Sequence, residues 1–233
     1  MFNLMLAFSI IHSGLAALRP YNPLGQRAHR VIFALASLPL SLSSISYFIN
    51  HAHDLPHPTD FSVPHPILFG ANLVSFLLLY PSTFNLLEVA AVDSPKLHLW
   101  NTGVIRITRH PQAVGQIIWC LAHSAYLNSY VAYAASSVLI AHHIFSVYHG
   151  DYRLAKEHGE AFERVKSVTS VVPFQAVLEG RQVLPKDYWK ELVRAPLILI
   201  SVGTLGAYFA HPYMQAGAAL STNTGCVPGG IFS

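Results

Sequence analysis

Five side chains able to ligate a metal, His12, Cys120, His123, His142 and His143, stand in stretches of this chain that hold no Asp, Glu, Lys or Arg. Ionisable groups in such surroundings are expensive to keep, so each is a functional candidate by default. Histidine costs least because its neutral form persists near physiological pH, and that form is also the commonest metal ligand. Cys120 and His123 form Cys-x-x-His, and at a spacing of three they share one helix face. Both could therefore reach one metal ion or one haem iron, which accepts His, Cys thiolate or Met as axial ligands. The plainer alternatives stay open: an interhelical hydrogen bond for any one histidine, and a small apolar packing residue for Cys120.

Arg109-His110-Pro111 stands at the entrance of the apolar stretch that carries Cys120. Arg109 and His110 could bind an anionic headgroup or cofactor there, or the tripeptide could be an interfacial cap with proline in the first helical turn. His51, His53, His57 and His65 crowd the 51–65 loop beside Asp54 and Asp60, at irregular spacings that read better as a solvated loop than as a metal patch. Glu88, Asp93 and Lys96 read as interfacial pairing. No acid or lysine lies within an apolar stretch to relay protons, which argues against an ion-coupled transporter. No P-loop, G-x-G-x-x-G, G-x-S-x-G or H-E-x-x-H is present, so phosphoryl transfer, dinucleotide binding and the common hydrolase mechanisms have no support.

The elements that must position these residues follow from how charge is distributed. Only 11% of the 233 residues are charged and 52% are hydrophobic, against about 25% charged in typical soluble domains, and mean hydropathy is +0.40. Residues 1–18, 31–53, 61–87, 110–150 and 195–233 carry no charge at all. A spanning helix needs about 20 largely apolar residues. The expectation is an all-α, polytopic transmembrane bundle with six spans, near 2–18, 31–50, 66–88, 112–128, 131–149 and 195–215. The run 110–150 is divided into a hairpin at Asn128-Ser129-Tyr130. Residues 1–218 read as one integral membrane domain and 219–233 as a flexible tail.

Loop charge agrees with that count. All 14 Lys and Arg residues fall in loops 19–30 and 89–111 or in segment 150–194, which alternation places on one side, as the positive-inside rule expects. The same placement explains the pI of 8.9 without a nucleic-acid partner. Gly150-Asp151 reads as the end of the fifth span, and Tyr152 to Lys166 as an amphipathic interfacial helix. Val171-Val172-Pro173-Phe174 could dip into the interface. Cys120 and Cys226 make no disulfide framework. Apolar sequence begins at Met1 with no signal or transit peptide, as expected if none is needed or if the chain is mature or truncated.

Several local motifs resemble the 15-cis-zeta-carotene isomerases, within the wider NnrU-like membrane proteins. They are His12-Ser13-Gly14-Leu15-Ala16, Tyr80-Pro81-Ser82-Thr83-Phe84-Asn85-Leu86-Leu87-Glu88, Arg106-Ile107-Thr108-Arg109-His110-Pro111-Gln112 and Trp119-Cys120-Leu121-Ala122-His123. Gly180-Arg181-Gln182-Val183-Leu184-Pro185 and Leu205-Gly206-Ala207-Tyr208-Phe209 continue the likeness to about residue 218. The resemblance implies a haem b enzyme, active with ferrous iron, in a plastid (chloroplast) or cyanobacterial membrane. It would isomerise the 15-cis double bond of 9,15,9'-tri-cis-zeta-carotene to give the 9,9'-di-cis form. The implied axial ligands are His12 and His123, with Cys120 as a redox-dependent alternative, and an electron donor that the sequence leaves unnamed. Rotation about a conjugated C=C needs its bond order lowered, which electron exchange with a metal achieves without net redox change.

At about 1.5 Å per residue, His12 lies about 10 Å below the basic face and His123 about 18 Å. Two ligands of one iron need nearly equal depth, so His142 or His143 would match His12 more closely and forms the second choice. Arg109-His110-Pro111, Glu157, Glu160, Phe162 and Pro173 can also be laid over the cofactor site of the isoprenylcysteine carboxyl methyltransferases. Glu160-Ala161-Phe162 then replaces the usual Phe-Gly, and Arg164 and Ser167 replace expected tyrosines. A non-enzymatic haem-binding NnrU-like protein is the remaining alternative.

Overall fold

The computed structural model describes residues 1–18, 25–52, 57–60, 62–83, 103–193 and 195–221. Arg19, His53, Asp54, Glu88, Asp93, Lys96 and Cys226, with the expectations attached to them, lie outside these. Among the described residues all regular structure is helical: α1 (Phe2–Leu18), α2 (Gly25–His51), α3 (His65–Thr83), a 3-10 turn (Gly103–Arg106), α4 (Pro111–Leu127), α5 (Tyr130–His158), α6 (Glu160–Val168), α7 (Gln175–Leu178), α8 (Trp189–Leu192) and α9 (Ala195–Ser221). Residues 27–51 and 130–158 form helices long and apolar enough to cross a bilayer, while Phe2–Leu18 and His65–Tyr80 are apolar but shorter.

The polar segment departs from expectation. Helix α5 does not stop at Gly150-Asp151 but continues to His158, and the amphipathic helix expected over 152–166 is divided between α5 and α6. One interior glycine costs a helix only about 1 kcal/mol relative to alanine, which Leu154, Ala155, Lys156 and Glu157 offset as good helix formers. The break comes at Gly159, whose φ of 51° few other residues tolerate. Helix α2 likewise starts earlier than expected, taking in Arg27 and Arg30, and α9 runs on to Ser221.

The helices bury small and hydroxyl side chains and expose large apolar ones. Ser37 and Ser44 are buried on α2, whereas Leu35, Leu38, Leu42 and Ile45 of that helix are 70%, 59%, 57% and 53% exposed. Ser75, Ser124, Ser136 and Thr204 are also buried, and Leu199, Val202 and Phe209 of α9 are exposed. Water-soluble helices order these classes the other way round.

Contacts cluster into two compact units. The first draws its described residues from Met1–Pro64, His123–His142 and Phe209–Ser233. Its core is Met5, Ala135 and Val138, with Met1, Phe8, Phe48 and Leu139 packed around them. Met5 and Phe8 form one stripe on α1, with Met1 just before its first residue, and Ala135, Val138 and Leu139 one stripe on α5, at the spacings that put helical residues on a common face. The α4–α5 hairpin closes where expected. Asn128 takes a φ of 41°, the Ser129 hydroxyl accepts from Val131 N–H, and Asn128 is tied to Thr59 and Tyr133.

The second unit comprises His65–Ala122 and His143–Tyr208. There α3 and α4 meet at Gly115, where an added Cβ would come within 2.6 Å of Ser75 O and 2.9 Å of Leu79 N. The Ser75 hydroxyl donates to Gly115 O at 2.7 Å across the same contact. Close backbone approach through a small residue is the usual way helices associate in an apolar medium. Because both obstacles are backbone atoms, no rotamer change relieves them. Gly115→Ala is expected to lower stability by about 1–3 kcal/mol, the usual range for overpacking, read as a lower melting temperature in detergent micelles. Gly203→Ala, whose Cβ would meet open space, should leave it unchanged or raise it slightly.

Candidate functional site

The α1 and α5 stripes lead directly to two of the candidate ligands. His12 lies seven residues after Met5, and His142 seven after Ala135, so both stay on the contact face two turns further along. Their ring centroids are 5.8 Å apart. Phe8 and Phe33 pack against the His12 ring at 5.3 and 4.6 Å, and the Ser13 hydroxyl lies 3.3 Å from His142 Nδ1. His12 Nδ1 is buried and has no hydrogen-bond partner, and Ser9 Oγ, one turn earlier, is in the same condition. A buried polar atom left unpaired costs about 1–3 kcal/mol.

His123 has a different neighbourhood. Its ring lies 6.5 Å from Tyr126, which in turn lies 6.2 Å from His211 of α9. His211 was not among the candidates read from sequence, although it too sits in a charge-free run, before Pro212. Cys120 is completely buried, and Gln116 Nε2 donates toward its sulfur at 3.7 Å. His143 belongs to the second unit, whereas His142 belongs to the first. Among the described residues no group of three or more His, Cys, Asp or Glu is placed to hold a metal ion, a requirement that a haem with two axial ligands does not share. His57, from the histidine-rich loop, instead makes a hydrogen bond with Asn128 O.

Arg109 and His110 converge on a residue that the sequence marked only as a helix end. Arg109 donates to Asp151 Oδ2 from Nε at 3.0 Å and from Nη2 at 2.7 Å, and His110 Nε2 lies 2.7 Å from Oδ1. Arg106, one turn away, forms a second bidentate pair with Glu191 and also donates to Gln182 and Val183 O. Thr108, fully buried between them, donates to Val171 O and accepts from His110 N–H. Backbone bonds from Arg109 N to Ser170 O and from Phe174 N to Ile107 O complete the joint. The effect is to fix the entrance of α4 against the polar segment.

Asp151 lies just beyond the apolar stretch 131–149. Burial pushes its carboxyl up, but hydrogen bonds from His110 and Arg109, reinforced by their charges, outweigh that and hold it near 2, against an ordinary value of 3.8. A carboxylate held down in the folded state adds stability that is fully present above its unfolded value and lost as pH falls through the folded one. The stability owed to this cluster should therefore decline between pH 3.8 and about 2. Asp151→Asn should cost about 2–3 kcal/mol at neutral pH, because it leaves a guanidinium that is only 14% exposed without its carboxylate. Its stability should also lose that acid-side slope, as measured by thermal melts across pH.

Comparison with known proteins places the chain in context. The family model described as NnrU protein matches residues 1–217. The chain is 59% identical over 220 residues to the chloroplastic 15-cis-zeta-carotene isomerase of Arabidopsis thaliana, covering 92% of this chain and 60% of that protein. It is 55% identical over 218 residues to the chloroplastic 15-cis-zeta-carotene isomerase of Zea mays, covering 91% and 60%. The chain thus spans about three fifths of the length of these curated relatives. No solved structure matches it. A family match across nearly all of its length, with relatives at this identity, means that the chain belongs to the NnrU protein family.

Proposed function

We propose that this protein is a haem-dependent 15-cis-zeta-carotene isomerase embedded in a plastid membrane. It converts 9,15,9'-tri-cis-zeta-carotene to the 9,9'-di-cis isomer. The observation that carries the reading is its 59% and 55% identity to two proteins named for that activity and for the chloroplast.

Membrane embedding has separate support. Leucines and isoleucines face outward on α2 while serines are buried, an arrangement that lipid favours and water opposes. The six-span topology requires spans one and five to run parallel and spans one and two antiparallel. On α1 and α5, contacts advance together from Met5 with Ala135 to His12 with His142. On α2 they run in reverse, from Phe48 at the Met5 cluster to Phe33 at His12. A C40 polyene partitions into the bilayer, so a site among these helices meets its substrate there.

The residues fit haem at His12. Its buried Nδ1 has no partner, and in the tautomer protonated at Nε2 that nitrogen offers an iron its lone pair. His12 and His123 would hold the iron, with His142, already beside His12, as the second choice. Cys120, three residues before His123, is the alternative ligand that depends on iron redox state. Bound there, haem supplies an iron able to exchange electron density with a conjugated double bond, once an outside donor has reduced it. The chain itself packs Phe8 and Phe33 against the His12 ring, which leaves the ring partly buried and its Nδ1 atom fully so.

Absorption spectra of the detergent-purified protein, oxidised and then dithionite-reduced, test the assignment independently of turnover. His12→Ala and His123→Ala should each lose the Soret band and zeta-carotene isomerisation, whereas His142→Ala should keep both. Loss with His142→Ala and retention with His123→Ala would make His142 the second ligand. A colourless wild-type protein expressed with haem supplied would refute the haem mechanism. Cys120→Ala should alter the ferric spectrum and leave the ferrous one unchanged.

A further inference from the structure

We infer that the joint between residues 107–110 and 166–181 is a binding site for an amphipathic lipid with an anionic phosphate headgroup. A pocket of about 440 Å³ opens there, lined by Arg109, Lys166 and Arg181 together with Thr169, Ser170 and Gln175, and no carboxylate lines it. Two of the cations are drawn to one acceptor. Thr169 O takes a hydrogen bond from Arg109 Nη1 at 3.4 Å and another from Arg181 Nη1 at 3.0 Å. Arg181 also donates to Ser167 O at 2.8 Å. Each cation has a carboxylate partner, Asp151 for Arg109, Glu163 for Lys166 and Glu179 for Arg181. These acids orient the cations from outside the pocket lining, and the like charges brought together inside it attract an anion. Arginine forks match phosphate oxygens in geometry as well as in charge.

What makes the ligand a lipid rather than a free anion is the edge beside the pocket. Phe174 and Leu178 stand four residues apart on the turn that also bears Gln175, and they are 45% and 85% exposed, with Val172 at 59%. Ala176 on the same turn is fully buried, so α7 is anchored by one side and offers these apolar groups on another. Phe174 is held outward with a φ of 63°, a left-handed conformation rare for a bulky residue, and its N–H is fixed to Ile107 O. Cationic pocket and apolar edge thus belong to one tightly bonded segment, matched to a phosphate group and the acyl chain attached to it.

Titration calorimetry of the full chain in neutral-detergent micelles tests this, with short-chain phosphatidylglycerol, phosphatidylcholine of equal chain length and inorganic phosphate as probes. Phosphatidylglycerol should bind more tightly than the other two. Lys166→Gln and Arg181→Gln should each weaken it about fivefold, the usual weight of one cation at an anionic lipid surface. Leu178→Ser should weaken phosphatidylglycerol and leave inorganic phosphate unaffected. Lys166→Gln removes an exposed pair with Glu163 and a contact over the Phe162 ring but none of the backbone bonds that Arg181 makes to the loop, so it tests charge even if Arg181→Gln disturbs the loop. Equal binding of the two lipids, or a preference for phosphatidylglycerol that survives both charge substitutions, would overturn the proposal. Inorganic phosphate binding as tightly as phosphatidylglycerol, with no effect of Leu178→Ser, would overturn it too, pointing to a soluble anion.

Discussion

The contact that the candidate site depends on is the register between α1 and α5. Large apolar side chains that face outward on these helices do nothing to bring them together, so attraction must come from the narrow stripe where they touch. That stripe is Met5 and Phe8 against Ala135, Val138 and Leu139. Small residues on one helix against longer ones on the other let the two approach. Because an α-helix nearly repeats its face every seven residues, the same register continues to His12 and His142. Two histidines from helices more than a hundred residues apart in sequence are thereby brought within 5.8 Å. A slip of one residue would rotate one of the two about 100° away from the other.

A second constraint fixes where α4 begins. Ion pairs at an exposed surface contribute little, but the side chains of Arg106, Glu191, Arg109 and Asp151 are only 14–19% exposed and each guanidinium holds its carboxylate with two N–H donors. Each carboxylate also takes a further partner, Gly103 N–H for Glu191 and His110 for Asp151. Desolvated pairs repay their cost only when the remaining lone pairs and protons are also satisfied, and here Gly103 N–H, Val183 O, Thr169 O and the Gln182 amide oxygen meet much of that requirement. The joint therefore acts as one rigid piece. It sets the first turn of α4, the helix that carries Cys120 and His123 further along.

Much of this was legible in the sequence, and for identifiable reasons. The long helices are legible in the charge-free runs because uninterrupted apolar sequence of that length suits a helix better than a strand or loop, and the hairpin in Asn128-Ser129 because both residues have turn chemistry of their own. The continuation of α5 to His158 was missed because Gly150-Asp151 looks like a stop, whereas the helix ends only where Gly159 takes a positive φ. Asp151 was taken for a terminus marker, since its role depends on Arg109 and His110 more than forty residues earlier. The proximity of His12 to His142 is partly readable from depth: counting residues from the basic face puts His142 or His143, rather than His123, level with His12, and the structure brings His142 to it. What no count along the chain supplies is azimuth, the side of each helix on which a residue lies, and azimuth decides which histidines meet. His211 was missed for that reason, since its nearness to Tyr126 comes from packing between α9 and α4.

The unpaired Nδ1 of His12 links this packing to chemistry. In water a free imidazole nitrogen costs nothing, but among Phe8, Phe33 and the α5 stripe no solvent replaces a missing partner. A chain selected for stability alone would place an apolar side chain there, as it does at Met5 and Phe8 on the same face. Ser9, buried and unpaired one turn away, adds a second polar atom where the packing favours none. Two such atoms on the most tightly packed stripe of α1 are costs that folding does not account for. Ligation of a metal is the chemistry that would recover the cost at His12. The same apolar walls that make the nitrogen expensive would then shield the metal from water and leave it open to a hydrocarbon substrate.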